Sequence, residues 1–299
     1  DAAIVSPGVP ARHPVYDAAR AAGVEVLSEI ELAWRWTDKP IVAVTGTNGK
    51  TTVTTIVAEM LNASGVLARA AGNIGLPLVE AIAQDADVYV AEVSSFQLEY
   101  TAGFRPTVGT WLNFAEDHLD WHPDLAHYAA AKARIWRNQT ADDVAVVNAE
   151  DPVVMDHAAG APSRVVTFGL DQGDHRIEGG QLVTPEGPLM AVADVPRSLP
   201  HELANGLAAA ATAGAAGAGP TAIASVLAGF QGLPHRVQLV GHAGGVRFFD
   251  DSKATTPASV LAAVSGFGSV VLIAGGRNKG LDLSVLRQAS DRIRSVVAI

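Results

Sequence analysis

The 299-residue sequence contains no cysteine, which excludes disulfides, thiolate nucleophiles and Cys-ligated zinc or iron–sulfur sites. Any metal here must be held by oxygen or imidazole. Basic residues are scarce: 21 Lys and Arg stand against 31 Asp and Glu, a formal net charge of −10. With no run of Lys or Arg, the chain lacks the footprint of a nucleic-acid or anionic-membrane surface, and neither partner is expected. Only 17% of residues are charged and 48% are hydrophobic, so the chain can bury a large core and disorder is not its main state. Long hydrophobic runs are also missing. One stretch invites a membrane reading, 203–234, which carries no formal charge; it is broken by Gly214, Gly217, Gly219 and Pro220 and reads as two short packed helices, not a membrane span.

What is present is an alternation of apolar runs and helical stretches. Segments 41–44, 88–93, 108–112, 144–147 and 165–168 are continuously apolar, as strands of a parallel sheet covered on both faces must be. Val53, Ile56, Val57, Met60 and Leu61 mark one face of a helix, with Gly65 just past its end. Residues 176–195 read as a hairpin excursion. A second α/β block follows the Gly- and Pro-containing linker 232–236, with strands expected at 247–249, 270–274 and 295–299 and helical segments after Thr256 and Asp282. The first residue is Asp1 and the opening reads as a strand already under way, so the chain is expected to be part of a longer one.

The first strand runs into TGTNGKTT, 45–52. Gly46 and Gly49 let the amides of Thr47, Asn48 and Thr52 turn toward an anion, Lys50 reaches terminal phosphates, Thr51 offers a hydroxyl to Mg²⁺, and the helix N-terminus faces the charge. The position of the first glycine in the general phosphate-loop pattern is taken by Val44. Glu92 closes the next strong strand, where a Walker B acid would give Mg²⁺ an oxygen ligand; capping the following serines is the structural alternative. The polar cluster at 113–122 holds Glu116, Asp117, His118, Asp120 and His122 at a strand's C-terminal end, and His118 is the candidate metal ligand. Lys132 lies among alanines in a helical stretch, where desolvation would lower its pKa enough to react with CO₂; a solvated surface lysine is the alternative. In the second block, 248–257 places Asp250, Asp251, Lys253 and Thr255 beyond a strand, and 273–280 places Lys279 beyond the next, together an anion- or nucleotide-facing surface.

TGTNGKTT, GNIGLP (72–77), EVSSFQLE (92–99), EDHLDWH (116–122), AAKARIW (130–136), LPHR (233–236), DDSKAT (250–255) and GGRNKG (275–280) occur in an order that resembles the Mur ligases over essentially the whole chain. The pairing of SSFQLE with DSKAT is similar to the branch that adds D-glutamate to UDP-N-acetylmuramoyl-L-alanine. The resemblance implies an α/β chain in three parts: 1–28 as the tail of an N-terminal Rossmann-like UDP-sugar domain, 29–232 as a central P-loop ATPase with a mostly parallel sheet, and 233–299 as the first part of a Rossmann-like amino-acid-binding domain. It implies an ATP-dependent amide ligase of peptidoglycan synthesis, working through an acyl phosphate, bacterial, cytoplasmic and monomeric. Lys50, His118, Lys132 and Lys253 would carry the chemistry. Gly46, Thr47, Asn48, Gly49, Lys50, Thr51 and Thr52, with Asn205, Arg236 and Asp251, would bind ATP. Asn73, Thr255 and Lys279 would meet the substrates. Thr51 and Glu92 would hold one Mg²⁺, and His118 with a carbamylated Lys132 a second, Mn²⁺ being a possible substitute. Where the family often has His-Asn, this chain has His201-Glu202, and no adenine contact is assigned to Glu202. Two rival readings remain, a ligase of the folylpolyglutamate synthase type and a P-loop module that hydrolyses ATP without ligation.

Overall fold

The fold was obtained as a computed structural model, which describes residues 2–10, 12–276 and 280–299. Its centre is a six-stranded sheet in the order Ala68–Gly72, Val88–Glu92, Ile41–Thr45, Val108–Trp111, Val144–Asn148, Arg164–Phe168, with every pairing parallel. The five apolar runs read from the sequence supply five of these strands. The first four are buried on both faces, so no polar alternation is needed to specify them, while Arg164–Phe168 lies at the edge with Val165 exposed. The sixth, ARAAG at the edge, carries small residues and an arginine and has no strand signature of its own.

Strand alternation sends Val42 and Val44 to one face and Ile41 and Ala43 to the other, each into its own hydrophobic cluster. On the first face lies the helix Lys50–Ala63, whose Val53, Ile56, Val57, Met60 and Leu61 are all buried. Each such side chain contributes about 1.5–3 kcal/mol relative to exposure. Beside it run Pro200–Ala215 and Pro220–Gly229, the two helices of the uncharged stretch. Ala208–Ala211 bring the first of these close to the sheet, and Thr212 Oγ1 meets Thr110 Oγ1 at 2.8 Å. Among the described residues, no helix is long and apolar enough to cross a membrane. On the second face lie Glu29–Trp36, Leu78–Ala81, Leu125–Ala133 and Pro152–Ala158.

Chain order and sheet order diverge at Ile41–Thr45: the next two strands go to one side and the later three to the other. A crevice must open at the C-terminal end of that strand, where ligands of open α/β sheets bind. The sequence places TGTNGKTT there.

Around this core sit three smaller parts. Ala2–Val5 and Glu25–Ser28 pair in parallel, with Pro14–Ala21 between them. Arg176–Glu178, Gln181–Thr184 and Gly187–Ala191 form an antiparallel sheet, one strand more than a hairpin. In the second block Val246–Asp250 forms a hairpin with Gln238–Ala243, a strand the sequence did not betray; a separate parallel pair joins Val270–Ala274 to Ile293–Ala298. Between them Pro257–Ser265 is capped by Thr256 and Ser259, while the segment after Asp282 is a 3₁₀ helix, Leu283–Ala289.

Candidate functional site

Thr45 ends the central strand, and Gly49 begins the helix with φ 86°, a left-handed turn that glycine adopts without strain. A Cβ at Gly49 would also strike the Asn205 side chain, so the loop passes close to the Pro200–Ala215 helix there. The loop is clamped from the neighbouring strand end. Asn48 N donates to Asn113 Oδ1 (2.9 Å), Asn113 Nδ2 returns a bond to Asn48 O (3.1 Å), and Thr47 N donates to Asn113 O (3.1 Å). Thr47 Oγ1 accepts from Ala115 N at 3.0 Å and lies 3.2 Å from the Tyr128 hydroxyl.

Two ammonium groups converge on one carbonyl. Lys50 Nζ donates to Gly46 O (2.9 Å) and Thr47 O (3.0 Å); Lys132 Nζ donates to the same Gly46 O at 2.8 Å. Lys132 is only 1% exposed and lies 4.7 Å from the Tyr128 ring centroid. Burial pushes its pKa well below the ordinary lysine value, and repulsion from Lys50 adds to the shift. The Lys50 pKa is lowered by burial too, against the opposing pull of Glu92 and Asp117. The arrangement shifts Lys132 toward its neutral amine.

Glu92, 3% exposed, is held at both oxygens: Thr51 Oγ1 donates to Oε2 (2.8 Å) and Asn73 Nδ2 to Oε1 (3.0 Å). Arg236, arriving from the linker, donates from Nη2 to Thr51 Oγ1 at 3.0 Å. Thr51 and Glu92 thus form an adjacent pair of hard oxygen donors, which fits Mg²⁺ beside phosphate oxygens. Among the described residues no three His, Asp or Glu side chains form a metal-binding group. Phosphate and water oxygens would therefore have to complete the coordination.

The 113–122 cluster divides. Glu116 and Asp120 are exposed. Asp117 is buried; its Oδ1 accepts from the His118 amide (2.8 Å) and its Oδ2 lies 3.3 Å from His118 Nε2. His118 adopts φ 57°, an uncommon left-handed conformation for a non-glycine residue and one that gathers at functional sites. Its pKa is lowered by burial, with Asp117 opposing and Lys132 and Lys50 reinforcing. His122 is buried behind it, 2.9 Å from Ser95 Oγ through Nε2, with its pKa pushed down to about 4, chiefly by burial.

A cavity of about 340 Å³ opens beside the loop, lined by Asn48, Gly49, Thr52, Asn205, Arg236 and Asp251 among others. Burial raises the Asp251 pKa, and its Oδ1 accepts from Val237 N at 3.1 Å. Lys253 reaches the cavity edge but is exposed, as is Thr255, which does not line it. Lys279 lies outside the described residues. Sequence reasoning gave no role to Asn113, Tyr128 or Arg197. Asn113 stood in the polar cluster it singled out; the other two carried no signal.

The profile of the Mur ligase middle domain matches residues 44–213. The UDP-N-acetylmuramoylalanine--D-glutamate ligase of Frankia casuarinae is 46% identical over 308 residues, covering 99% of this chain and 65% of that protein. The enzyme of the same name from Escherichia coli is 42% identical, covering 96% and 66%. The chain therefore spans about two thirds of the length of these relatives. Among solved structures, MurF from Acinetobacter baumannii superposes with TM-score 0.72 at 21% identity, covering 90% of this chain and 65% of that one. MurF from Thermotoga maritima, in complex with ADP, gives 0.69 at 17%, covering 96% and 78%. These two matches extend the likeness of the fold beyond the sheet. With the middle-domain profile matched over 44–213 and relatives 46% and 42% identical along nearly the whole chain, the chain belongs to the Mur ligase family.

Proposed function

We propose that this chain is the ATP-handling part of a ligase that joins D-glutamate to UDP-N-acetylmuramoyl-L-alanine in peptidoglycan precursor synthesis. The observation that carries the reading is the convergence of Lys50, Thr51, Glu92 and Lys132 on one strand end beside the 340 Å³ cavity. The relatives named above supply the choice of substrates.

A carboxylate is a poor electrophile, and phosphorylation by ATP supplies its leaving group. The alanyl carboxylate attacks the γ-phosphorus and ADP leaves; the D-glutamate amine then attacks the acyl phosphate, and inorganic phosphate leaves as the amide forms. Little covalent chemistry falls to the protein, which must place the reactants in line and meet developing charge. Loop amides and Lys50 bind the phosphates. Asn205, Arg236 and Asp251 bound the nucleotide cavity, and Asn73, Lys253, Thr255 and Lys279 serve the other substrates.

Mg²⁺ would supply charge neutralisation at the transferred phosphoryl group, held by Thr51 and Glu92. Neutral Lys132 can take up CO₂ as an anionic carbamate, which with His118 would offer a second ion its ligands. In the domain assignment proposed here, 1–28 ends a UDP-sugar domain, 29–232 is the ATPase, and 233–299 begins the domain for the incoming amino acid. The protein is proposed to act in the bacterial cytoplasm as a monomer.

Phosphate release from ATP, measured with UDP-N-acetylmuramoyl-L-alanine and D-glutamate separately and together, tests the reading. Release that requires both supports it. Release indifferent to both would support bare hydrolysis, and glutamate addition to a folate in place of the UDP sugar would support the folate branch.

A further inference from the structure

The linker between the central sheet and the second block is held in a conformation that its own residues disfavour. His235 has φ 61° and Val237 φ 46°, both left-handed, and a β-branched residue there is a genuine outlier. Such a backbone persists only where its surroundings over-determine it. From the second block, Asp250 Oδ2 lies 2.6 Å from His235 Nδ1, Asp251 Oδ1 accepts from Val237 N at 3.1 Å, and Lys253 N donates to His235 O at 3.3 Å.

From the central part Arg197 answers them. Arg197 donates from Nη2 to Arg236 O (2.9 Å) and from Nη1 to Val237 O (3.1 Å). Its guanidinium packs so closely on the linker that a Cβ at Gly232 would meet Cζ at 3.0 Å. Glu202 holds Arg197 in turn: Nη2 of Arg197 is ion-paired with Oε1, while the carboxylate's Oε2 accepts from Leu199 N at 3.1 Å. The pair is largely buried, at 20% and 10% side-chain exposure, so its geometry is fixed. The Arg236 side chain, carried by a residue whose own carbonyl is gripped, ends 3.0 Å from Thr51 Oγ1.

We propose that Arg197, anchored by Glu202, is a positioning residue for nucleotide binding, which sets the linker so that the Arg236 guanidinium stands ready beside Thr51. This rests on the reading of the loop at 45–52 as the ATP phosphate site. A guanidinium held there in advance meets a polyphosphate without the entropy cost of ordering a long side chain. Lysine cannot replace Arg197, since a single ammonium lacks the planar fork that reaches two carbonyls and a carboxylate at once.

The test is a double-mutant cycle on this chain with Mg·ATP titrated calorimetrically, beside amide hydrogen exchange of residues 235–238 without nucleotide. Arg197→Lys keeps the charge opposite Glu202. It is expected to weaken Mg·ATP about tenfold, ~1.4 kcal/mol, and to raise exchange at His235 and Val237, whose amides are bonded to Gln238 Oε1 and Asp251 Oδ1. In the Arg236→Ala background the same substitution is expected to change affinity less than twofold, because its effect passes through Arg236. Effects that multiply, or unchanged exchange in Arg197→Lys, would overturn the proposal. Failure of the unsubstituted chain to bind Mg·ATP would instead sink the nucleotide reading, and the exchange measurement would still decide whether Arg197 holds the linker.

Discussion

Replacing Lys132 with methionine should make the ligand-free protein more stable while abolishing turnover. An ammonium removed from water costs several kcal/mol even after relaxation. Against this, Lys132 has one hydrogen bond, to a carbonyl it shares with Lys50, worth about 1.5–3 kcal/mol for a charged donor, and one aromatic face worth up to about 2. Methionine fills similar volume without the charge and relieves the repulsion on Lys50, so Lys132→Met is expected to gain ~1–3 kcal/mol at neutral pH. The sign of the pH dependence follows from the lowered pKa. Between that value and ~10.4 the unfolded chain binds one proton more at this lysine than the folded chain, so wild-type stability rises with pH, by at most about 1.4 kcal/mol per unit. Below the native pKa the penalty of burying the charge is complete; as pH climbs toward the unfolded value it disappears. Urea unfolding of both proteins in CO₂-free buffer at pH 7, 8 and 9 should show the methionine variant's advantage shrinking. Bicarbonate added at pH 8.5 should stabilise wild type alone, since only the free amine can be carbamylated. A variant less stable than wild type by a constant margin at all three pH values would show that the contacts of Lys132 outweigh its burial, and the reasoning would be refuted.

Two further substitutions separate loop geometry from scaffold. Gly49→Ala places a Cβ at φ 86° against Asn205, and should cost about 1–3 kcal/mol and reduce Mg·ATP affinity more than about a hundredfold; Gly65→Ala, at φ 83° with open space around it, should keep wild-type affinity in the same titration. Glu31 is fully buried and accepts from the amides of Ala102, Gly103 and Phe104 and from Arg35 Nε. Glu31→Gln sets an NH₂ among those donors and should cost ~3–5 kcal/mol in urea unfolding, with nucleotide affinity unchanged below the transition; a loss under 1 kcal/mol would contradict the count of bonds.

How much of this was legible depended on how local the cause was. Parallel strands buried on both faces announce themselves as apolar runs, and the loop at 45–52 states its chemistry through Gly46, Gly49, Lys50 and Thr51 within six positions. Ala68–Gly72 gave no such signal because an edge strand needs little apolar surface; Gln238–Ala243 is mostly exposed and exists through its pairing with Val246–Asp250. Lys132 was readable only as a lysine among alanines. Its burial, and the carbonyl it shares with Lys50, depend on Gly46 being brought across from another strand end. Asn113 and Arg197 act on residues 65 and 39 positions away, at Asn48 and Arg236, and no periodicity encodes such a pairing.

The net charge of −10 describes the surface and misdescribes the site. Lys50, Lys132 and Arg236 gather where Glu92 and Asp117 are the carboxylates that pull against the lysine shifts, and at neutral pH the crevice is locally cationic or forced to shed protons. Charges beyond about 8 Å are screened in physiological salt, so the distant acidic surface does little to offset this. Cations gathered this closely repel one another, and a polyphosphate would relieve that repulsion. Lys50 and Lys132 donate to a backbone carbonyl and Arg236 to a hydroxyl, neutral acceptors that an anionic phosphate oxygen would outcompete. Repulsion among these cations lowers stability, and its relief by a polyphosphate would add to affinity. A substitution that relaxes the empty site, as Lys132→Met is expected to do, should therefore weaken the bound state.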